Sequence, residues 1–455
     1  MAGSFTADLA ERAASFGSVE LTPSQLERVR QCVLDWIGVS VAGAQEPVGR
    51  ALQAVAVGEA SAPRCAVIGT HVRTGPQSAA LANGTASHAH DYDDISFWMH
   101  GHPSIVVAAA VFALAESRGL TGSDVVSALA AGYEVGARVG LAVGTGHYVA
   151  GWHSTGTIGA FAAAAGAGKA LNLDAEAMER ALGLAATQAA GLKVSFGTMA
   201  KPLHGGRDAA AGVLAALLAE QGFTAPRGAI EAPQGFAATQ APGFDAERPD
   251  AEMAGRLGLE SISFKKHPAC GATHATIDAM QSAFADHAIA GDDVERVRLR
   301  VTRYMLDICC IPEPTTGIEG MFSVRHAGAL VLAGRGTGLS GFTDEAVQDP
   351  AVVAARERFE VQPHPDRPAG VRTEVTIRLR TGDDLVYDLD ERVPATDDEL
   401  PRQWRTLAAK FHDLVVPVAG EAAADELVAR IARFEHETAV GELLSLTRPE
   451  EVDGQ

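Results

Sequence analysis

The densest group of titratable side chains in this chain lies between positions 88 and 102. Four histidines and three aspartates occur within these 15 residues, just before an apolar run over 105–114. Burying so many ionisable groups without partners costs free energy, so they are not expected in an ordinary packed core. Groups that exchange protons near neutral pH are what acid–base catalysis requires, and the segment therefore predicts an enzyme. Its titratable members are His88, His90, Asp91, Asp93, Asp94, His100 and His102.

A metal site is one alternative for this segment. The order His88-x-His90-Asp91 resembles the metal motifs of some hydrolases, because neutral imidazoles and carboxylates are common ligands. If the helix predicted over 79–86 continued, however, His88 and His90 would point to different faces. No Asp-His pair follows to complete a binuclear pattern. We therefore expect no metal, and a metallohydrolase using His88, His90 and Asp91 is the competing class.

His153 is a second candidate, in the segment Gly-Trp-His-Ser-Thr-Gly-Thr over 151–157. It precedes an Ala/Gly-rich stretch over 158–168 that favours a helix. A histidine at a helix entrance could donate a proton or bind a substrate carboxylate. A packed turn histidine without a chemical role is the alternative, and the residues alone leave both open.

A glycine pair and two basic side chains precede a helix predicted over 208–221. The glycines would let backbone amides approach a ligand, and a helix N-terminus favours anions. The basic side chains add fixed positive charge, so the segment predicts a cradle for a substrate carboxylate. Asp208 as an ordinary N-cap is compatible with this interpretation. The candidate residues are Lys201, His204, Gly205, Gly206 and Arg207.

Cys270 lies in a fourth segment, Phe-Lys-Lys-His-Pro-Ala-Cys-Gly-Ala-Thr-His over 264–274, at a predicted domain border. Domain borders are favoured ligand sites. Lys265 and His274 are close to this cysteine in sequence, and neighbouring cations lower the pKa of a thiol, so Cys270 could act as a base or an acid. A buried structural cysteine is the alternative.

Composition limits the class of protein. A chain of 455 residues that is 47% hydrophobic can bury substantial cores and is expected to form two domains. The net charge of −20 argues against nucleic acid or an anionic membrane as a partner, so an anionic substrate needs a local basic pocket. Five cysteines show neither metal spacing nor a disulfide framework, which favours a reducing cytoplasm. We expect no secretory signal, and apolar runs such as 105–115 are too short to span a bilayer.

The hydrophobic pattern changes near residue 260. Helical spacing dominates before it, period-two alternation follows, and helical spacing returns after 397. This predicts a mainly α protein with an α/β insertion: a helical domain over 1–260 and 397–455, and an α/β lid domain over 261–396. The predicted helices are 24–42, 122–137, 175–190, 208–221, 400–414 and 421–434, and the predicted strands are 294–301 and 371–379.

Taken together, the motifs HDYDD, GHPS, GWHSTGTIG, KPLHGGRDAA and KKHPACGATH resemble the MmgE/PrpD family over nearly the whole chain. The resemblance implies a helical domain from both termini with an α/β lid, a homodimer, and catalysis without a metal or organic cofactor. It implies catalytic roles for Asp91, His102, His153, Lys201 and Cys270. With the cradle above, it predicts the substrate-binding set His204, Gly205, Gly206, Arg207, Lys265 and His274.

The chemistry that this resemblance implies is removal of a proton beside a carboxylate of a small di- or tricarboxylic acid. One enediolate-like intermediate can then be reprotonated, lose β-hydroxide or lose CO₂. We favour an epimerase of a substituted succinate, of the iminodisuccinate type, because Cys270 could oppose Lys201 or His153 across one carbon. Cys270 also stands where the family's decarboxylase has a histidine. A 2-methylcitrate-type dehydratase is the alternative, followed by a cis-aconitate-type decarboxylase; a non-catalytic scaffold would leave the motifs unexplained.

Overall fold

The computed structural model describes residues 4–17, 21–367, 371–389 and 393–450. Helices form most of the part before residue 260. They are α1 (Phe5–Ser15), α2 (Pro23–Gly43), α3 (Pro47–Gly58), α4 (Pro76–Ala86), α5 (Pro103–Arg118), α6 (Gly122–Val143), α7 (Thr145–Val149), α8 (Ile158–Ala170), α9 (Ala175–Ala186), α10 (Ala200–Glu220), α11 (Phe236–Gln240) and α12 (Arg248–Met253).

Shorter helices alternate with strands in the middle of the chain, and three helices follow residue 399. The helices are α13 (His274–His287), α14 (Arg303–Leu306), α15 (Gly317–Gly320), α16 (Val324–Leu332), α17 (Asp344–Gln348), α18 (Pro350–Arg356), α19 (Leu400–Ala419), α20 (Glu421–Ile431) and α21 (Val440–Ser445). The strands are β1 (Cys65–Ala66), β2 (Arg73–Thr74), β3 (Ile95–Ser96), β4 (Ile262–Ser263), β5 (Val294–Val301), β6 (Phe359–Pro363), β7 (Thr373–Leu379) and β8 (Asp384–Leu389). The protein is therefore mainly α, as predicted.

The main sheet has the strand order β6-β5-β7-β8 and is mixed. β5 pairs in parallel with β6 and antiparallel with β7, and β7 pairs antiparallel with β8. Both predicted strands are present, because their apolar residues alternate with polar ones and one face packs against helices. A two-stranded antiparallel sheet pairs β3 with β4. Beside it, the hydroxyl groups of Ser96 and Ser261, which are 165 residues apart in the sequence, share a hydrogen bond.

Two large hydrophobic cores lie in different parts of the chain. One is built by the helices before residue 260 together with α19, α20 and α21. The other lies between the main sheet and α13, α16 and α18. The division into a helical domain over 1–260 and 397–455 and a lid over 261–396 stays a prediction.

Helix α6 is longer than predicted and is long and apolar enough to cross a membrane. A capping box begins it, with the Thr121 side chain accepting from the Asp124 amide and Asp124 accepting from the Thr121 amide. However, 89% of its most apolar window is buried inside the protein. The helix thus packs as a core element, and its composition is weak evidence for a membrane span.

Helix α10 corrects the prediction of a cradle at a helix N-terminus. It begins at Ala200 rather than at Asp208, because Pro202 is tolerated in a first turn. Gly205 and Gly206 therefore lie buried inside the helix, where their amides belong to the helical ladder. A Cβ on Gly206 would lie 2.1 Å from the Leu81 carbonyl oxygen. The glycine pair allows α10 to approach α4 closely and does not form an anion cradle.

Candidate active site

The segment between α4 and α5 contains two non-glycine residues with positive φ, Asp91 and His100, and ends at the N-terminus of α5. Asp91 has a φ of +47°, in the left-handed region that non-glycine residues rarely adopt. At the other end, the Ser104 amide in the first turn of α5 donates to Asp94 Oδ1 at 3.1 Å. His102 is the N-cap residue of α5, directly before Pro103. These constraints direct Asp91 and His102 toward the same interior space.

One oxygen of Asp91 binds two lysines that come from distant parts of the chain. Asp91 Oδ1 accepts from Lys201 Nζ at 2.8 Å and from Lys265 Nζ at 2.6 Å. All three residues are less than 5% exposed. Burial alone would raise the pKa of Asp91, but the two ammonium groups hold it below its ordinary value. Asp91 is therefore a carboxylate, and the three groups together have a charge of +1 when both lysines are protonated.

A second buried carboxylate connects two histidines. Asp93 Oδ1 lies 2.7 Å from His88 Nδ1, and Asp93 Oδ2 lies 2.8 Å from His102 Nδ1. His88 Nε2 lies 2.8 Å from Lys201 Nζ. His102 Nδ1 is also 3.0 Å from the Asp94 carbonyl oxygen, and its Nε2 lies 3.8 Å from Asp91 Oδ1. Lys201, His88, Asp93, His102 and Asp91 therefore form a closed ring of neighbouring polar groups, which is called the polar ring below.

His153, in the segment before α8, lies next to this polar ring, with its imidazole centroid 6.4 Å from that of His88 and 6.5 Å from that of His102. Its Nδ1 lies 2.9 Å from His204 Nδ1, and its ring packs edge-on against Phe196 with centroids 5.0 Å apart. Burial lowers the pKa of His153 well below its ordinary value, and nearby Lys201 adds to this effect. Burial also lowers the pKa of His204, to about 4. The two rings are therefore a neutral pair in which one nitrogen donates and the other accepts.

Cys270 also lines the site and comes from the segment between β4 and α13. Its amide donates to the Met321 carbonyl oxygen at 2.9 Å, which anchors the thiol next to a second cysteine, Cys309. A hydrogen bond from Cys309 lowers the pKa of the Cys270 thiol to about 7 against the opposing effect of burial. Lys265 lowers it further, whereas Asp91 raises it. A substantial fraction of Cys270 is therefore thiolate near neutral pH.

These groups line one pocket, whose cavity volume is about 100 Å³. All five predicted catalytic residues line it, together with Lys265. Its apolar wall includes Phe196 and Phe322, whose rings lie 5.5 Å and 5.0 Å from Lys201 Nζ. The remaining lining residues are Ile95, Ser96, Phe97, His100, Gly101, Tyr148, Gly271, Ala272, Tyr304 and Ile308.

Several predicted substrate-binding residues lie behind the pocket wall in the described part of the chain. Arg207 donates to the Gly156 and Ala190 carbonyl oxygens, so its guanidinium holds backbone together. His274 Nε2 lies 3.3 Å from the Ala269 carbonyl oxygen, and its ring packs against His267. His204 contacts the pocket only through His153. Neither these residues nor the two buried glycines line the pocket.

Sequence reasoning missed the aromatic wall and the roles of two polar residues. Phe196, Phe322 and Tyr304 had no signal, because aromatic residues in a sequence usually indicate core. Tyr148 lies just before the segment of His153, which could have drawn attention to it. His88 was considered only as a metal ligand, and Asp93 was not singled out.

The histidine and aspartate set proposed for a metallohydrolase is not brought together. His90 turns away from the pocket, with Nε2 3.6 Å from Glu46 Oε1. The Lys201 ammonium lies 2.8 Å from both His88 Nε2 and Asp91 Oδ1, so a fixed organic cation occupies the point where these two groups converge. Two overlapping groups of possible ligand atoms do lie within 4.8 Å of one another, those of His88, Asp91, Asp93 and His102 and those of His88, His102 and His153.

Comparison with known families matches two domain descriptions over most of the chain. The MmgE/PrpD N-terminal domain matches residues 7–249, and the MmgE/PrpD C-terminal domain matches residues 267–434. The chain belongs to the MmgE/PrpD family. This confirms the resemblance stated from the motifs.

Relatives from the MmgE/PrpD family include decarboxylases from fungi and mammals. The chain is 28% identical to cis-aconitate decarboxylase from Aspergillus terreus over 440 residues, which cover 90% of each chain. It is 28% identical to a cis-aconitate decarboxylase-like protein from Aspergillus oryzae over 445 residues, covering 90% of this chain and 92% of the relative. It is 26% identical to human cis-aconitate decarboxylase over 411 residues, covering 86% and 85%. These relatives support an enzyme of the lyase kind and give no support to our preference for an epimerase.

Proposed function

We propose that this protein is a cofactor-independent lyase of a small di- or tricarboxylic acid, with loss of CO₂ as the favoured step. The observation behind the proposal is the pocket in which Asp91, Lys201 and Lys265 meet acid–base groups from two sides. The names of the relatives favour decarboxylation over the epimerisation that we predicted from the motifs.

The charge of the pocket suits a substrate carboxylate. The Asp91–Lys201–Lys265 group is positive by one charge in a chain whose net charge is −20. The phenyl rings of Phe196 and Phe322 keep water away from Lys201, and a charge acts more strongly in such a dry site. We infer that one substrate carboxylate binds at this cationic edge while the rest of the molecule faces the apolar wall.

The same groups could perform the reaction. Breaking a bond to CO₂ or to a proton beside a carboxylate leaves two electrons on carbon, and these are delocalised into the carboxylate as an enediolate. Preorganised cations stabilise that developing charge, and a positioned acid then protonates the carbon. Lys201 and Lys265 would supply the charge, and His102, His153 and Cys270 are the candidate donors. We propose no metal and no organic cofactor, since Lys201 supplies the cation at the centre of the site.

Epimerisation of a substituted succinate is the second candidate, and Cys270 favours it. A thiol with a pKa of about 7 can both accept and donate a proton at neutral pH. Cys270 comes from the predicted lid segment, whereas Lys201 and His153 come from the predicted helical domain, and all three line the pocket. Two proton-transfer groups on opposite faces of one carbon would allow inversion. Dehydration of a 2-methylcitrate-type substrate uses the same intermediate and is tested in parallel.

One experiment separates these reactions. Purified protein is incubated in D₂O with cis-aconitate, 2-methylcitrate and substituted succinates, and followed by NMR, ultraviolet absorbance and CO₂ release. Stoichiometric CO₂ with one deuterium in the product supports the proposal. Deuterium at the α-carbon with stereochemical scrambling and no new alkene would replace it with epimerisation, and an unsaturated product without CO₂ would replace it with dehydration. Turnover that needs a stoichiometric metal, lost on chelation, would overturn all three in favour of a metallohydrolase.

We also propose a homodimer in a reducing cytoplasm, with neither nucleic acid nor membrane as a partner. An apolar patch close to the site supports the dimer, because monomers rarely leave adjacent large apolar side chains in water. Val149, Leu192 and Val194 are 72%, 51% and 85% exposed. Two contacts join their segments: the backbone of Trp152 bridges to that of Leu192, and the Lys193 ammonium donates to the Tyr148 carbonyl oxygen. We propose that this apolar patch also includes Met199 and Leu203, which are 45% and 38% exposed.

A further inference from the structure

Asp93 is a buried carboxylate that the proposed reaction does not use directly. Its side chain is 1% exposed and lies behind His88 and His102 rather than on the pocket surface. Each of its oxygens faces a different imidazole nitrogen, at 2.7 Å and 2.8 Å. A buried charge so placed must be compensated by its partners, and here both partners are rings next to the reacting groups.

The bonds around His88 allow only one neutral tautomer. Burial alone would raise the pKa of Asp93, but the two histidines hold it well below its ordinary value, so Asp93 is ionised and accepts. His88 Nδ1 must then carry the proton, and its Nε2 presents a lone pair to Lys201 Nζ at 2.8 Å. Burial lowers the pKa of His88 to about 3, which keeps the ring neutral. Because Asp93 holds the proton on His88 Nδ1, His88 Nε2 is free to accept a hydrogen bond from the Lys201 ammonium.

The same reasoning fixes the orientation of His102. Its Nδ1 is hydrogen-bonded to the Asp94 carbonyl oxygen at 3.0 Å, so this nitrogen carries a proton, and Asp93 Oδ2 lies 2.8 Å from the same nitrogen. The opposite nitrogen, Nε2, is on the side of Asp91, at 3.8 Å from its Oδ1. His102 therefore presents Nε2 to the pocket that both residues line.

We propose that His88 and Asp93 are positioning residues of this site: the Asp93 carboxylate fixes the tautomer of His88 and, together with the Asp94 carbonyl oxygen, that of His102. Through His88 it holds Lys201 as an ammonium pointing into the pocket, and through His102 it aims Nε2 at the substrate. This inference rests on the proposed function for its consequence in turnover, but the tautomers themselves do not depend on which carboxylate reacts.

Two substitutions at His88 separate hydrogen bonding from packing. In His88→Gln the amide can still donate to Asp93 and accept from Lys201, whereas His88→Leu keeps the volume and loses both bonds. We expect His88→Gln to stay within about 10-fold of wild-type kcat and His88→Leu to lose about 10²-fold or more, with KM changing less than kcat. His90→Gln and His90→Leu are the matched controls, since His90 is equally buried in the same segment and lies outside the pocket.

A spectroscopic measurement tests the tautomers without any substrate. In protein labelled with ¹⁵N at the histidine rings, the signals lost in His88→Gln and His102→Gln assign the two residues. We expect both rings protonated at Nδ1 in the wild type, with His88 neutral at pH 6–8. In Asp93→Asn an NH₂ donor replaces one carboxylate oxygen and lies against the protonated Nδ1 of His88 or of His102, so at least one ring should change its ¹⁵N pattern.

These experiments test the positioning role of His88 and Asp93 separately from the proposed lyase activity. An Nε2-protonated or charged His88 in the wild type would overturn it, as would an Asp93→Asn variant with unchanged ring signals, or equal losses of kcat in His88→Gln and His88→Leu. If Asp93→Asn does not fold, the wild-type tautomers still decide. Absence of turnover with every carboxylate would remove the proposed function, while the ¹⁵N patterns would continue to support or contradict the positioning pair.

Discussion

Two lysines on one carboxylate oxygen are an unusual arrangement at the residue scale. Asp91 neutralises only one of the two charges, so the buried group keeps an excess positive charge for which the substrate is the natural partner. Lys201 also lies against two phenyl rings, which further limits its hydration. Burial lowers the pKa of Lys201, whereas Asp91 opposes this effect. The chemistry of the pocket should therefore depend strongly on this single ammonium group.

Replacing Lys201 by methionine tests that dependence. Lys201→Met removes the charge at nearly constant volume, and we expect turnover to fall by about 10²–10³-fold, the usual loss when one electrostatic contact to the transition state is removed. Lys169→Met is the control, because its ammonium donates to the Ala14 carbonyl oxygen, outside the pocket. Steady-state kinetics and circular dichroism of both variants are the measurements. Wild-type rates in Lys201→Met would remove Lys201 from the mechanism.

The reactivity of Cys270 should follow pH near neutrality. Because the pKa of this thiol is lowered to about 7, its thiolate fraction rises as pH increases from 6 to 8. Alkylation by iodoacetamide, followed by mass spectrometry of the modified peptide, should show a midpoint near pH 7. Cys309→Ala removes the hydrogen bond that lowers this pKa and should move the midpoint upward. Cys65, whose pKa burial raises to about 12, is the internal control and should stay unmodified; a Cys270 midpoint above the ordinary thiol value would contradict the expectation.

At the scale of elements, the contact between α4 and α10 positions Lys201 relative to Asp91. Lys201 is in the first turn of α10, and the catalytic segment begins just after α4. Glycines on both helices make the close approach possible: a Cβ on Gly84 would lie 2.8 Å from Gly206 Cα. The small residues in this contact therefore serve the site through geometry and not through their amides.

Gly206→Ala should destabilise the protein because the added methyl group meets backbone. Its Cβ would lie 2.1 Å from the Leu81 carbonyl oxygen, and relieving such overpacking costs about 1–3 kcal/mol. Gly58→Ala is the control: it replaces a glycine at the end of α3 with nothing within 4 Å of the new Cβ, and alanine should stabilise the helix by about 0.5–1 kcal/mol. Urea unfolding followed by circular dichroism measures both. Equal stability of Gly206→Ala and wild type would show that α4 and α10 are not packed this closely.

At the scale of the whole molecule, the apolar patch defined by Val149, Leu192, Val194, Met199 and Leu203 is close to the pocket. Its segments include the neighbours of His153 and the first turn of α10, which contains Lys201. A second copy covering this surface would bury apolar side chains and restrict movement of the segments that form the pocket wall. Dimer formation and catalysis should therefore be linked.

Val194→Asp places a charge at the most exposed member of the apolar patch and should dissociate the proposed dimer. Burying an unpaired carboxylate against a second copy is costly, so the variant should elute as a monomer in size-exclusion chromatography with light scattering. Val57→Asp, at a valine on α3 that is 61% exposed and belongs to another surface, should keep the wild-type mass. A wild-type protein that is monomeric, or a Val194→Asp variant that stays dimeric, would rule out this face as the interface.

Local pattern was enough to predict part of this protein. Strand β5 begins and ends where the period-two alternation predicted, and α2 starts at the Thr22-Pro23 signal because a capping side chain and a proline both act within one turn. The motifs likewise identified the family and the five predicted catalytic residues that line the pocket. These features depend on residues that are close together in the chain, so they can be predicted without knowing the tertiary structure.

Other features were decided by the tertiary structure. The burial of the two glycines of α10 depends on α4, a helix more than 100 positions earlier, so local signals at Gly205 and Gly206 predicted the wrong role. Asp91 meets Lys201 across 110 positions and Lys265 across 174, and only folding shows that both share one oxygen. Which nitrogen of His88 carries a proton depends likewise on Asp93 and Lys201 arriving from two sides. The sequence alone determined which titratable groups are present, and the tertiary structure decided how they pair, because charge and tautomer depend on three-dimensional distance and burial.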